Sequence, residues 1–431
     1  MKHLPLFVAL AVAVLLGASC ASTAESHKVW VEDGQLFTDA GPHFMYGVCY
    51  HPVPLGGSER SFETLTQDLA LMQEMGINTI RVYEPIASKE VLDEIGAAGL
   101  SVIVGIGYNQ GGVYDLQSGS YLEYVKRFKS HPAILLWELG NEYNFHPEWF
   151  GGSMDVWYET LREASAAIQA EDPNHPVSTA HGELPDEALI ADLTDIDMWG
   201  MNVYRWDVSH TAASDFAKLS NKPMYFSELG ADSHMDVAQL GYEKGVNQRA
   251  QADATRNLLE GMLSDSCHAV GAVVFSFTDG WWKAGNPDQQ DVGGSAPESS
   301  GVPYDGSANE EHWGLVDIHR NPKEAFHVVK SLFQSHQAPA MKDVTFLKTV
   351  FETSRRGGRF HEVPAAMVDS WENPQSEVVH VRVNADQRKQ QIEGFGGSFT
   401  DASAYLVQQM SCLLYTSDAA DEGLGVDLGG R

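Results

Sequence analysis

The chain has 431 residues, 43% hydrophobic and 20% charged, with 28 Lys and Arg against 59 Asp and Glu. This is the composition of a globular protein with room for a barrel-sized domain and something smaller. A formal net charge of −31 repels phosphate backbones and anionic lipid, which argues against nucleic acid as a partner and leaves a neutral ligand tolerable.

At the N-terminus Lys2 and His3 lead into an apolar run over 4–16 and then small residues. That is the pattern of a secretory signal, assigned to 1–24 and too short for a comfortable membrane span. Cys20, directly after Gly-Ala-Ser, is a candidate lipidation cysteine that would attach the protein to a membrane, with ordinary cleavage near Ala24 as the alternative. Either way the protein is expected to be secreted, periplasmic or a cell-surface lipoprotein of a bacterium. Next, "KVWVEDGQLFTDAG" alternates apolar and polar residues around Asp-Gly, a hairpin signal.

Strand-like and helix-like segments then take turns. Strands are predicted over 44–50, 78–83, 100–106, 133–139, 176–181, 198–204, 223–229 and 272–277. Amphipathic helices are predicted over 62–75, 89–98, 121–129, 154–170, 247–263 and 322–333. This order specifies an α/β fold, a (β/α)₈ barrel over 25–335 with a short N-terminal β-hairpin. A doubly wound open sheet is the alternative, but it wants a glycine-rich phosphate loop after its first strand, and "GVCYHPVPLGG" is not one. The polar stretch 283–312 is a long loop after the eighth strand, on the rim where such loops shape a site. Asp288 and Asp291 within it match no standard Ca²⁺ loop and read as a solvated acidic turn. The 17 His and 4 Cys show no zinc spacing, and Cys49 and Cys267 read as two buried thiols rather than a disulfide. Beyond residue 335 the texture changes to short β segments, "VTFLKTVFETSRRGGRFHEV" and "SEVVHVRVN".

In such a barrel the side chains at the C-terminal strand ends point into the mouth. Those ends carry Tyr50 and His51 after strand one, then Arg81, Tyr83 and Glu84 at strand two. Asn141 and Glu142 follow strand four, His181 closes strand five, Tyr204 strand six and Glu228 strand seven, and Trp281 and Trp282 lie beyond strand eight. Two carboxylates, an amide, an Arg, a Tyr and indoles on one rim suit the cleavage of an acetal. One protonated carboxyl releases the leaving oxygen and one ionised carboxylate attacks, and a separation of about 5 Å predicts retention. Arg81 and Tyr204 would keep the attacking carboxylate charged and aimed. One of the two indoles offers its face to a sugar while the other packs, a choice the sequence leaves open. His51 and His181 are either substrate contacts or ordinary hydrogen-bonded rim residues. Glu138, inside strand four, reads as a buried, paired structural group.

"WELGNE" and "KPMYFSELGAD" resemble the acid/base and nucleophile motifs of retaining β-glycosidases built on (β/α)₈ barrels. The nearest likeness is to the barrel domain of glycoside hydrolase family 2, through "GQLFTDAGPHFMYGVCYHP", "DMWGMNVYRW", "GWWKAGNPD" and "NEEHWGLVDIHRNPKEAF". "GINTIRVYE" and "WGMNVYRW" are also similar to fungal β-1,3-glucanosyltransferases. The resemblance implies Glu142 as acid/base, Glu228 as nucleophile, Asn141 as partner of the sugar 2-hydroxyl, Tyr204 as orienter of the nucleophile, and no cofactor. The sandwich domains that precede a family 2 barrel have no counterpart here, so the usual substrates of those larger enzymes are not carried over. "QQIEGFGGSFTDASAYLVQQMS" resembles the opening of a glycoside hydrolase family 30 barrel. Residues 336–411 are accordingly expected to be the truncated start of such a domain, without its catalytic carboxylates, and 412–431 a non-native tail. The expectation is a retaining hydrolase or transglycosylase acting on a β-linked oligo- or polysaccharide, foremost a β-1,3/1,6-glucan. A β-mannan or β-galactoside is the alternative substrate, and a non-catalytic glycan-binding lipoprotein the alternative of another class.

Overall fold

The computed structural model describes residues 27–111, 113–205, 208–264, 268–294, 305–337, 350–352 and 361–363. Cys20, Cys267, the family 30-like motif at 390–411 and the terminal tail lie outside them.

The chain enters through a three-stranded antiparallel sheet: β1 (Val29–Glu32), β2 (Gln35–Thr38) and β3 (Gly41–Pro42). Its first turn needs two residues with positive φ, and Asp33 (49°) and Gly34 (73°) supply them. Val29 and Leu36, 2% and 1% exposed, form the buried side of this hairpin.

Eight parallel strands then close a barrel. They are β4 (Met45–Cys49), β5 (Thr79–Val82), β6 (Ser101–Ile106), β7 (Ile134–Asn141), β8 (Val177–Gly182), β9 (Met198–Asn202), β10 (Met224–Leu229) and β13 (Ala269–Val274), and β13 pairs with both β4 and β10 to complete the ring. A two-residue pair, β11 (His234–Met235) with β12 (Gly245–Val246), decorates the loop after β10. Among the described residues eight helices interleave with the barrel strands: α1 (Leu65–Met75), α2 (Lys89–Ala97), α3 (Tyr121–Phe128), α4 (Asp155–Glu171), α5 (Glu187–Asp192), α6 (Thr211–Leu219), α7 (Gln248–Met262) and α8 (Glu324–Gln337). None of these described helices is long and apolar enough to cross a membrane.

The strands are apolar throughout because both faces are covered. Met45, Ile103, Leu136, Tyr225 and Val273 fill the barrel interior, while Ile80, Trp137, Trp199 and Phe226 pack between barrel and helices. Two helices, α5 and α6, were not predicted from the sequence; α5, at six residues, is too short to show a full amphipathic repeat. The eighth strand runs three residues earlier than predicted. Its apolar run continues past Val274, but Phe277 leaves the ladder and donates its N–H to the Cys49 carbonyl at 3.0 Å. Residues 342–431 form a second unit. Its described part is one antiparallel pair, β14 (Val350–Glu352) with β15 (His361–Val363), in the stretch predicted as short β segments.

Candidate active site

The end of β7 explains the motif Leu-Gly-Asn-Glu. Gly140 has φ 71°, and a Cβ there would lie 2.5 Å from the Trp157 ring. Glu142 itself adopts φ 54°, ψ 23°, a left-handed conformation costing a non-glycine residue about 1–2 kcal/mol. The surrounding backbone holds it there. Its N–H donates to the Ala180 carbonyl at 2.9 Å, and its own carbonyl accepts the Phe145 N–H at 3.0 Å. Two turns of opposite hand to the strand thus deliver Asn141 and Glu142 to the barrel mouth.

Glu228, on β10 and 6% exposed, is held by three donors. Its Oε1 accepts from Arg81 Nη1 and from the Tyr83 hydroxyl, each at 2.7 Å, and its Oε2 from the Tyr204 hydroxyl at 2.9 Å. Arg81 is fully buried and organises the floor of the site. Its Nε donates to Glu138 at 2.6 Å and its Nη2 to Asn141 Oδ1 at 2.7 Å. Asn141 Oδ1 also accepts from Asn202 Nδ2 at 3.1 Å. With its oxygen occupied twice, Asn141 is left to present its NH₂ to a ligand. Beneath this layer the Tyr225 hydroxyl donates to Glu138 and lies 3.0 Å from the Ser178 hydroxyl. Glu138 is the buried, paired structural group that the sequence indicated.

The electrostatics separate the two rim carboxyls. Glu142 is pushed up from 4.5 to about 8, first by burial and then by the negative charge of Glu228; an Asn202 hydrogen bond, Arg81 and Lys283 oppose the shift. Glu228 instead faces a guanidinium and two phenols, three hydrogen-bond donors to its two oxygens. Burial works against the charge on Arg81, but Glu138, Tyr83 and Glu228 outweigh it and hold the guanidinium well above its ordinary value. Burial and then nearby negative groups drive the Tyr83 and Tyr204 hydroxyls far up, so both remain donors. Burial lowers Lys283, against the pull of Glu310, Glu228 and Glu142.

Glu142 and Glu228 share one cavity of about 730 Å³, which Asn141, His51, Tyr204 and Trp282 also line. Four residues picked from the sequence as ligand contacts are placed otherwise. Tyr50 is fully buried among the helices and donates to Asp68 at 2.8 Å, because Cys49 before it takes the inward-facing position and side chains alternate. His181 turns to the outer layer, edge-on to Trp199, with Nδ1 3.0 Å from the Glu183 carbonyl. Trp281 packs edge-on to His319, so of the two indoles Trp282 is the one on the cavity. Arg81 touches Glu228 and Asn141 and does not line the cavity. Burial, with Arg60 and Lys283, lowers His51 to about 4, so it is a neutral rim residue. Tyr83, Asn202, Lys283 and Trp149 had no role assigned from the sequence. Tyr83 was the most accessible of them, lying two residues after Arg81 and therefore on the same strand face. Among the described residues no group of three or more His, Cys, Asp or Glu is placed to hold a metal ion. In the acidic turn, Asp291 accepts from the Asn286 N–H at 2.7 Å and from Gln289 Nε2 at 2.9 Å.

Comparison with known proteins follows the same lines. The profile "Glycosyl hydrolases family 2, TIM barrel domain" matches residues 29–251. A beta-glucuronidase of Felis catus is 24% identical over 278 residues, covering 58% of this chain and 40% of that enzyme. A mannan endo-1,4-beta-mannosidase F of Aspergillus clavatus is 34% identical over 138 residues, covering 26% of this chain and 31% of that one. Among solved structures, the Faecalibacterium prausnitzii beta-glucuronidase superimposes with a TM-score of 0.55 at 20% identity, over 72% of this chain and 52% of that one. A GH2 beta-galacturonidase from Eisenbergiella tayi gives 0.52 at 20% identity, over 72% and 54%. These structural likenesses bear on the fold alone. The chain spans well under two thirds of the length of such relatives. The family match covers more than half of the chain and takes in every barrel strand from β4 to β10, and on that ground the chain belongs to the glycoside hydrolase family 2 barrel domains.

Proposed function

We propose that this barrel is a retaining β-glycoside hydrolase or transglycosylase. The observation that carries the reading is the pair of carboxyls in one cavity with opposed environments. Glu228 is gripped by Arg81, Tyr83 and Tyr204, while Glu142 is raised to about 8 and holds its proton. In the first step a Glu228 oxygen attacks the anomeric carbon as the glycosidic C–O bond breaks, and Glu142 gives its proton to the departing oxygen. In the second step Glu142 takes a proton from water or an acceptor hydroxyl, whose oxygen displaces Glu228 from the same carbon. Two inversions return the starting anomer. The Asn141 amide hydrogens suit the sugar 2-hydroxyl, a contact that strengthens as charge develops in the transition state.

For substrate, β-1,3/1,6-glucan is the preferred reading, on the likeness of "GINTIRVYE" and "WGMNVYRW" to β-1,3-glucanosyltransferases and on the family 30-like segment. The match to a mannan endo-1,4-beta-mannosidase favours β-mannan as the second reading. Product profiles on defined β-glucan and β-mannan oligosaccharides decide between them. Proton NMR of the first product formed tests the mechanism: a β-anomer is expected, and an α-anomer overturns retention. Wild-type protein that binds glycan without cleaving any, as Glu228→Ala should, would make this a binding module.

A further inference from the structure

The loop that carries Glu142 onward into α4 contains two short turns, Tyr143–Phe145 and Pro147–Phe150. Phe150 is 6% exposed, its ring 5.0 Å from Tyr108 and 5.7 Å from Trp157, so it anchors the loop. The residue before it does the opposite. Trp149 is 55% exposed, although it lines the same cavity as Glu142 and Glu228. The His146 ring covers one of its faces, with centroids 3.9 Å apart and planes at 5°. His146 is fixed in turn by Glu148 at 2.8 Å, and the Trp149 N–H is tied to the His146 carbonyl at 3.0 Å. A ring backed on one side and more than half exposed is a preorganised flat surface. Nothing in the double-displacement chemistry uses it.

Its position says which part of a substrate it meets. The barrel order sets β13 beside β10, and β7 on the other side of the mouth between β6 and β8. Trp282, just after β13, therefore flanks the nucleophile's side, whereas Trp149 flanks the acid. Glu142 protonates the departing oxygen, so the sugar attached to that oxygen lies on the side of its own loop. We infer that the Trp149 face, backed by His146, is a binding site for the pyranose ring on the leaving-group side of the cleaved bond, and for an acceptor sugar returning there. The cavity, about 730 Å³ and lined by both Trp149 and Trp282, has room for more than one pyranose ring. The inference rests on the glycosidase reading and assigns it a substrate class: oligosaccharides with a sugar leaving group, cleaved or transferred internally.

The test compares two leaving groups. Mono- and disaccharide β-glucosyl and β-mannosyl fluorides have no sugar beyond the cleaved bond, while the matching gluco- and manno-oligosaccharides do. Trp149→Ala is expected to lower kcat/KM on the best oligosaccharide roughly tenfold, with turnover of the best fluoride falling less than twofold. Trp149→Phe should recover part of the loss, and the share of transfer products should drop with Trp149→Ala. Equal losses on both kinds of substrate, or none on either, overturn the inference. So does wild-type protein that consumes a fluoride and none of the oligosaccharides. If wild type turns over neither, the glycosidase reading itself fails and this site goes with it.

Discussion

Glu142 holds two costly states at once, a left-handed backbone and a proton retained far above the usual carboxyl range. The linkage has a definite sign. A carboxyl whose folded pKa is about 8 against 4.5 when unbound by the fold is neutral in both states at low pH and costs nothing there. As pH rises through 4.5 the unfolded chain gains by ionising while the folded one does not, so stability is lost up to pH 8. Glu142→Gln is therefore expected to raise Tm by roughly 2–4 °C at pH 8 and to leave it unchanged at pH 4, as differential scanning calorimetry would show, while abolishing turnover of unactivated substrates. On the proposed mechanism the same group is expected to set the alkaline limb of kcat/KM in wild type near pH 8, since the acid must be protonated. Lys283 holds the Glu142 pKa down, so Lys283→Met should move that limb to higher pH. An unmoved limb would mean that another group supplies the proton. At Glu228, loss of one hydroxyl donor by Tyr83→Phe should slow kcat by roughly tenfold, the worth of a hydrogen bond to a charged group. Trapping by a 2-deoxy-2-fluoro glycoside should slow in parallel, and a change in KM alone would refute the positioning role of Tyr83.

Three strands supply the polar floor: Arg81 from β5, Glu138 from β7 and Glu228 from β10. Arg81 is shared between two carboxylates, so neither pair can be judged alone. Glu138→Leu leaves a buried guanidinium half-compensated and is expected to cost about 3–5 kcal/mol in denaturant unfolding. Adding Arg81→Met should return much of that stability, since apolar residues of similar volume often replace a buried pair without loss. Activity should stay absent in the double variant because Glu228 has lost its cation. Recovery of both together would show that Arg81 is not needed at Glu228. The legibility of these elements divides along the same physics. Glu142 and Glu228 stood out because each ends an apolar run, where a carboxylate has no structural excuse. Arg81 stood out as a charge inside a strand, and its place beside Glu228 was expected, but its bonds to Glu138 and Asn141 were not, because β5 and β7 come within reach only after the ring closes. Tyr50 misled because strand alternation fixes inward and outward only once one position is known, and Cys49 gave no hint that it was the inward one. Trp149 and Lys283 sit on loops whose path is set by anchors such as Phe150, and no periodicity encodes that.

On the scale of the whole chain, the closed ring and every residue that lines the cavity fall within 27–313, and the helix that finishes the barrel layer ends at Gln337. Ala325, Phe326, Val329 and Phe333 of that helix are buried in the main core, and its His336 Nδ1 lies 2.6 Å from the Tyr46 hydroxyl on β4. The last turn of α8 thus fastens the strand at which the barrel closes. Two truncations should therefore behave differently. A chain ending after Gln337 keeps all of these contacts and is expected to match the full chain in Tm and in kcat/KM. A chain ending after Asn321 loses α8 together with its buried Phe326 and Phe333 and is expected to be insoluble or unfolded, because each buried Phe removed costs about 3–5 kcal/mol against a total stability of about 5–15 kcal/mol. Size-exclusion chromatography and thermal melts separate these outcomes. Loss of folding in the chain ending after Gln337 would show that residues 338–431 are needed by the barrel domain rather than merely following it.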